Sequence, residues 1–180
     1  MKFVILTYKD NLSFAEETKQ VLKQQWNIDA DIFFGFKLGE NNLKHNQVVM
    51  AGFKKLIENY DEDIFYLEDD VRFIKNPLDI DLTKDIVWSI YRRGKLTNKP
   101  PHDIITGIQA VYFSKEAISS LKKDLQGRRL IHFDYYISKF IHKHPHLSFE
   151  QVVPKLGYEE EHNSLISKEK DWIKYTKKNQ

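Results

Sequence analysis

Four consecutive apolar residues, Ile64-Phe65-Tyr66-Leu67, lie between two acidic triplets, Asp61-Glu62-Asp63 and Glu68-Asp69-Asp70. No other stretch limits the fold as tightly. A run that is apolar at every position has no polar face to turn to water, and this one is too short for a helix. It therefore reads as a strand buried on both faces, in the centre of an α/β sheet. Its far end then carries three carboxylates where open α/β sheets receive their ligands.

The flanking segments agree with that placement. Residues 3 to 7 form a second short apolar strand, and Ser13-Phe14-Ala15-Glu16 has the capping-box pattern of a helix start. Phe14, Thr18, Val21, Leu22 and Trp26 recur at helical spacing, and Ile32-Phe33-Phe34 is a strand that stops at Gly35. Val49, Phe53, Leu56, Ile57 and Tyr60 mark a second helix before the central strand, and Ile86 to Ile90 forms a strand after it. Ile104 to Phe113 reads as extended, with Gly107 marking a bend or a close backbone approach.

A helix from Ser114 buries Ala117, Ile118, Leu121 and Leu125 and stops at Gly127. Another carries Phe133, Tyr136, Ile137, Phe140 and Ile141 on one stripe and ends at Pro145. A short strand near Leu147 to Val153 closes the sheet, and the last dozen residues form a helical or frayed tail through Trp172. Strands alternating with helices define an α/β fold: one three-layer domain over residues 1–180 with a largely parallel, mixed sheet.

Cysteine is absent, so disulfides and thiolate metal sites are excluded. Any metal must rest on carboxylates, histidine or water, which favours Mn²⁺ or Mg²⁺. The run Phe3 to Leu6 is shorter than a signal-peptide core, and nothing approaches the roughly 20 apolar residues of a membrane span. The expectation is a cytoplasmic protein. A net charge of +2 implies no polyanion partner by itself, but the cations are clustered. Arg92, Arg93, Lys95 and Lys99 crowd one segment, and Lys122, Lys123, Arg128, Arg129, Lys139 and Lys143 another. Either cluster could meet phosphates or could simply be a solvated face.

If the chain stays extended through the second acidic triplet, Glu68 and Asp70 point to one side and Asp69 to the other. Two carboxylates on one side can share a cation; the plainer reading is an acidic turn after a strand.

The surroundings bring in a family. Lys44-His45-Asn46-Gln47 opening a helix, followed by Phe65-Tyr66-Leu67-Glu68-Asp69-Asp70-Val71-Arg72-Phe73, resembles glycosyltransferase family 25, the lipooligosaccharide and collagen galactosyltransferases. Lys44 stands where that family has serine. Thr106 to Ser114, His132-Phe133-Asp134-Tyr135, Gln151 to Pro154 and Ser164-Leu165-Ile166 resemble further family segments in the same order, so that the likeness runs from about Gly39 to Ile166.

The resemblance implies a GT-A fold and a nucleotide-sugar donor, usually UDP-linked. Asp70 would be the firmest metal ligand, with Glu68 or Asp69 holding the ribose or a metal-bound water. A metal at such a site would stabilise the leaving diphosphate as a Lewis acid. Thr7 and Tyr8 would meet the base and ribose, with Tyr8 able to stack on uracil, and Gly107 and Gln109 would also lie at the donor. Asp134 would face the acceptor hydroxyl as its binder or its base, although an acid in a helix's first turn is also explained by the helix dipole. His162 would complete the metal's ligands, or be an exposed histidine in a charged turn.

His142, His144 and His146, without an evident acidic partner, read as helix C-terminal caps. The acceptor would be a glycan or a hydroxylated base in DNA, the latter suiting the basic segments. Two other functions stay open: a non-catalytic phosphate- or nucleic-acid-binding module, and another metal-dependent phosphoryl-transfer enzyme. No Walker loop or dinucleotide glycine fingerprint is present.

Overall fold

The computed structural model describes residues 1–37, 40–43, 45–73, 75–90, 108–151 and 157–159. β1 (Lys2–Thr7) leads through a 3₁₀ turn at Lys9–Asn11 into α1 (Leu12–Trp26), which returns the chain to β2 (Ala30–Phe34). α1 starts one residue before Ser13, and neither Ser13 nor Asn11 caps it, because the helix continues straight out of the 3₁₀ turn. Its other end closes normally: Asn27 takes the left-handed conformation (φ 55°) and its N–H bonds to the Lys23 carbonyl at 3.0 Å.

α2 (His45–Glu58) then carries the chain to β3 (Ile64–Glu68), the strand anticipated from the apolar run. β4 (Val71–Phe73) follows at once, and β5 (Ile86–Ile90) and β6 (Ile108–Phe113) come next. Residues 104–107 of the expected extended stretch lie outside the described residues. α3 (Lys115–Leu125) is capped by Ser114, whose Oγ accepts from Ala117 N at 3.1 Å, and Gly127 beyond it has φ 67°, where a side chain would be strained. α4 (Phe133–Lys143), β7 (Phe149–Gln151) and β8 (Gly157–Glu159) complete the described chain.

The main sheet has the order β2-β1-β3-β6-β5-β7. β1, β2 and β3 are parallel, β6 is antiparallel to both its neighbours, and β5 and β7 are parallel to each other. The period-two alternation of each strand divides its side chains between two cores. Val4, Leu6, Ile64, Tyr66, Val111 and Phe113 pack against α2, α3 and α4 on one face. Phe3, Ile5, Phe65, Leu67, Ala110 and Tyr112 pack against α1 and against Val71 and Phe73 of β4 on the other. All five stripe residues of α4 are buried, each contributing about 1.5–3 kcal/mol of transfer free energy.

Two features lie beyond what the sequence pattern announces. β4 and β8 form a small second sheet, antiparallel, with Val71 facing Glu159 and Phe73 facing Gly157. In β6, Ala110 faces Ser89 while Ile108 faces Ile90, so Gln109 is an extra residue, a β-bulge. The bulge breaks the alternation and puts Ile108 into the same core as Val111.

Candidate active site

β3 delivers Glu68 to the end of the central strand, and Asp69 and Asp70 form a turn before β4 begins. The extended arrangement with Glu68 and Asp70 on one side therefore does not occur. Asp69 is buried, whereas Glu68 and Asp70 are half-buried. The cause is a set of bonds that pulls Asp69 inward. Thr7, wholly buried at the end of β1, donates its hydroxyl to Asp69 Oδ2 at 2.6 Å. Thr18 of α1 donates to the Asp69 carbonyl at 2.6 Å. Arg72 in turn donates to Thr18 Oγ1 and to the Val71 carbonyl, and pairs with Glu17 at 3.0 Å. β1, α1 and β4 thus hold the acidic turn from three sides. From sequence Thr18 was read only as a stripe position of α1 and Arg72 only as part of the family-like segment; the available signal was a charged residue placed between two apolar ones in Val71-Arg72-Phe73.

Tyr8 follows Thr7 directly and lies against Gly35. A Cβ on Gly35 would come within 3.2 Å of both Tyr8 Cε1 and Leu6 Cδ1, so the missing side chain leaves the room that the tyrosine ring occupies. The Tyr8 hydroxyl is sealed from solvent, and burial, reinforced by the charges of Glu68 and Asp69, pushes its pKa far above the usual tyrosine range. Tyr66 of β3 is fully buried, with its ring 5.4 Å from Phe53 of α2 and 5.3 Å from Phe133 of α4. Burial raises its pKa as well, and the charges of Glu68, Asp69 and Asp134 act in the same direction. Tyr66 is a polar member of the apolar run that had been read as core alone.

Asp134 lies in the first turn of α4, off the buried stripe, as expected. Its carboxylate accepts from Ile108 N, the first residue of β6, at 3.4 Å. Because β6 is antiparallel to β3, its beginning lies beside the end of β3, so α4's first turn meets the same end of the sheet as Glu68. The bulged Gln109 is buried there too. Thr7, Tyr8, Glu68, Asp69, Asp70, Gln109 and Asp134 are therefore gathered at one sheet end, while Gly107 and His162 lie outside the described residues.

Among the described residues no three histidine or acidic side chains converge into a ready cation cage. Mg²⁺ and Mn²⁺ in phosphate-handling sites do not need one: they rest on one or two carboxylates and take the remaining ligands from water and substrate phosphates. Glu68 and Asp70, flanking Asp69, carry hard oxygen donors of the type such an ion takes.

The second basic cluster is partly an internal network. Lys122 pairs with Asp61 at 2.5 Å, and Arg128 and Lys143 both pair with the buried Asp124, at 2.8 and 2.6 Å. Tyr136 donates to the same carboxylate at 3.2 Å. His144, expected to lack an acidic partner, has Nε2 3.6 Å from Asp124. Lys123, Arg129 and Lys139 remain exposed, the last 4.5 Å over the Tyr135 ring. Arg92, Arg93, Lys95 and Lys99 lie outside the described residues. Among the described residues, no helix is long and apolar enough to cross a membrane.

No protein-family model and no curated protein matches the sequence. Solved structures do share its fold. A Drosophila β1,4-galactosyltransferase 7, crystallised with manganese, UDP-galactose and xylobiose, superposes with a TM-score of 0.58 at 10% identity, over 93% of this chain and 73% of that one. The catalytic domain of the same enzyme with xylobiose gives 0.54 at 13% identity, over 90% and 71%. A glycosyltransferase involved in glycosylating the major capsid of PBCV-1 gives 0.50 at 15% identity, over 84% and 82%. At such identities the likeness is one of fold: the chain has the mixed α/β GT-A-like architecture found in nucleotide-sugar transferases.

Proposed function

We propose that the protein is a metal-dependent glycosyltransferase that moves a hexose from a nucleotide-sugar, UDP-linked as in family 25, to a hydroxyl acceptor. The observation that carries this reading is the convergence of the acidic turn Glu68-Asp69-Asp70, the β1 end at Thr7-Tyr8 and Asp134 at one end of a sheet with the GT-A arrangement. In the transfer the bond from the anomeric carbon to the diphosphate oxygen breaks, the acceptor oxygen bonds to that carbon, and the acceptor proton leaves to a base.

Asp134 is that base: it sits at the rim of the sheet end, and a carboxylate there can orient the acceptor hydroxyl and accept its proton. Asp70 and Glu68 hold the Mn²⁺ or Mg²⁺, which when bound stabilises negative charge on the departing diphosphate. Thr7 keeps Asp69 turned into the site, and Tyr8 walls the nucleotide. Gly107 and His162 keep the donor and metal roles that the family likeness gives them. A glycan hydroxyl is the acceptor favoured here, because half of the second basic cluster is already directed at Asp61 and Asp124. Transfer to a hydroxylated DNA base would rest on Arg92 and Arg93.

The test is binding of UDP and UDP-hexoses with Mn²⁺ and with EDTA, followed as a thermal shift. A ligand at a hundredfold excess over its dissociation constant stabilises the native state by about 2.7 kcal/mol. The expected result is a large shift that needs Mn²⁺ and disappears in Asp70→Asn, whose ligand-free melting temperature stays near wild type. Equal shifts with Mn²⁺ and EDTA would remove the metal role, and no shift with any UDP compound would remove the function.

A further inference from the structure

Two residues depart from what their own elements would choose, and both are directed at the same turn. Thr18 lies in the middle of α1 on its buried stripe, between Ala15 and Leu22, where a leucine would suit helix and core better. A threonine hydroxyl in that setting ordinarily bonds back to a carbonyl of its own helix. This one donates instead to the Asp69 carbonyl, 51 residues along the chain. Arg72 places a guanidinium, 6% exposed, between the core residues Val71 and Phe73. One of its nitrogens donates to Thr18 Oγ1 and to the Val71 carbonyl, and another lies 3.0 Å from Glu17 Oε2. A buried ion pair seldom adds stability over apolar side chains of the same volume, because desolvation offsets the attraction. Departures of this kind collect where function requires them.

We infer that Arg72 is a positioning residue of the donor site: through Thr18 it fixes the Asp69 backbone, and with it the setting of Glu68 and Asp70, the residues that receive the cation and the diphosphate. The inference rests on the glycosyltransferase reading above.

The direction of the relay follows from donor chemistry. A guanidinium can only donate, so the Thr18 oxygen accepts from it and the single Thr18 hydrogen is left for the Asp69 carbonyl. Without Arg72 that hydroxyl could turn back to the Phe14 carbonyl, four residues earlier in α1. Asp69 is held at a second point, its carboxylate, by Thr7 at 2.6 Å. Held there alone, its peptide could still rotate about the side-chain torsions; held at both points, it cannot. The two anchors come from different elements, Thr7 from β1 and Thr18 from α1, so they can be removed one at a time.

The experiment measures UDP affinity with Mn²⁺ by calorimetric titration, amide hydrogen exchange in the ligand-free chain, and the urea midpoint. The expected result for Arg72→Met is an affinity lower by about tenfold. The Asp70 and Val71 amides should exchange faster, while the urea midpoint stays close to wild type, because Glu17 has 52% of its side chain exposed and is not stranded by the loss. Since Arg72 acts through Thr18, adding Thr18→Val to Arg72→Met should lose little more affinity, whereas adding Thr7→Val should lose its own full share. Wild-type affinity in Arg72→Met would overturn the inference, as would independent, additive losses from Arg72→Met and Thr18→Val. An affinity loss that only tracks a fallen urea midpoint would reduce Arg72 to a structural ion pair. Should Arg72→Met not fold, Arg72→Lys, which keeps the charge but not the fork that reaches three acceptors, is read by the same measures and should stay impaired. Wild type that binds no UDP with Mn²⁺ would instead remove the parent reading, and the exchange rates would still decide whether Arg72 orders the turn.

Discussion

Thr18 stands between two groups that would otherwise face a dry interior: it donates to the Asp69 carbonyl and accepts from Arg72, while almost fully buried itself. Valine has the same shape without either bond. Thr18→Val should cost about 1–3 kcal/mol, read from the urea midpoint at unchanged slope, because it leaves buried polar atoms without this partner. Since the group released is the backbone of the acidic turn, Mn²⁺-dependent UDP affinity should fall with it, and Thr18→Ser should restore both. Asp134 gives the opposite signature. A general base contributes on the order of 10²–10⁴ in rate, whereas a carboxylate near a helix N-terminus contributes only about 0.3–1 kcal/mol of stability. Asp134→Asn should therefore lose transfer by that factor while its melting temperature and donor affinity stay close to wild type. Near-normal transfer with a slightly lower melting temperature would reduce the residue to a support for its helix.

At the scale of elements, α3 and α4 are clasped around a single carboxylate. Asp124, with 1% of its side chain exposed, receives Arg128 from beyond α3 and Lys143 and Tyr136 from α4. Burial alone would raise its pKa, but the Lys143 hydrogen bond and the Arg128 charge bring it below the ordinary value of 3.8. A folded-state pKa below the unfolded one means a contribution present above the unfolded value and lost as pH falls through the folded one. Asp124→Asn should cost about 1–3 kcal/mol at pH 7, and the gap between wild type and variant should close on acidification below about pH 4 in a denaturation series. Lys143 and Arg128 can still reach water, which keeps the loss moderate. The helices themselves were readable from sequence: the α4 stripe and the α3 positions Ala117, Ile118, Leu121 and Leu125 are local signals at fixed spacing, and both sets are buried as expected. The clasp was not, because it joins residues from separate helices, and its cations taken singly look like a solvated face. The Ser13 capping box failed for a related reason, as the preceding 3₁₀ turn fixes the entry into α1 before Ser13 is reached.

For the whole molecule, the central strand followed from hydrophobicity and its acidic end from the residues next to it, whereas the place of Asp134 near that end was given only by the family resemblance. The acidic turn was the plainer of the two readings, but the burial of Asp69 could not be foreseen, because it depends on Thr7, Thr18 and Arg72, which only tertiary structure brings together. β4 and β8 were invisible for a simpler reason: three residues are too few to show a period. That small sheet has a bearing on how the protein is made. Val71 pairs with Glu159, nearly half of the 180-residue chain away, so the strand leaving the acidic turn waits for a distant partner while β1, β2 and β3 can zip together early. Contacts so remote pay their loop-closure entropy before any reward and form late. On a ribosome, β4 would stand unpaired until β8 emerged, with the Thr7, Thr18 and Arg72 bonds alone holding the acidic turn in the meantime.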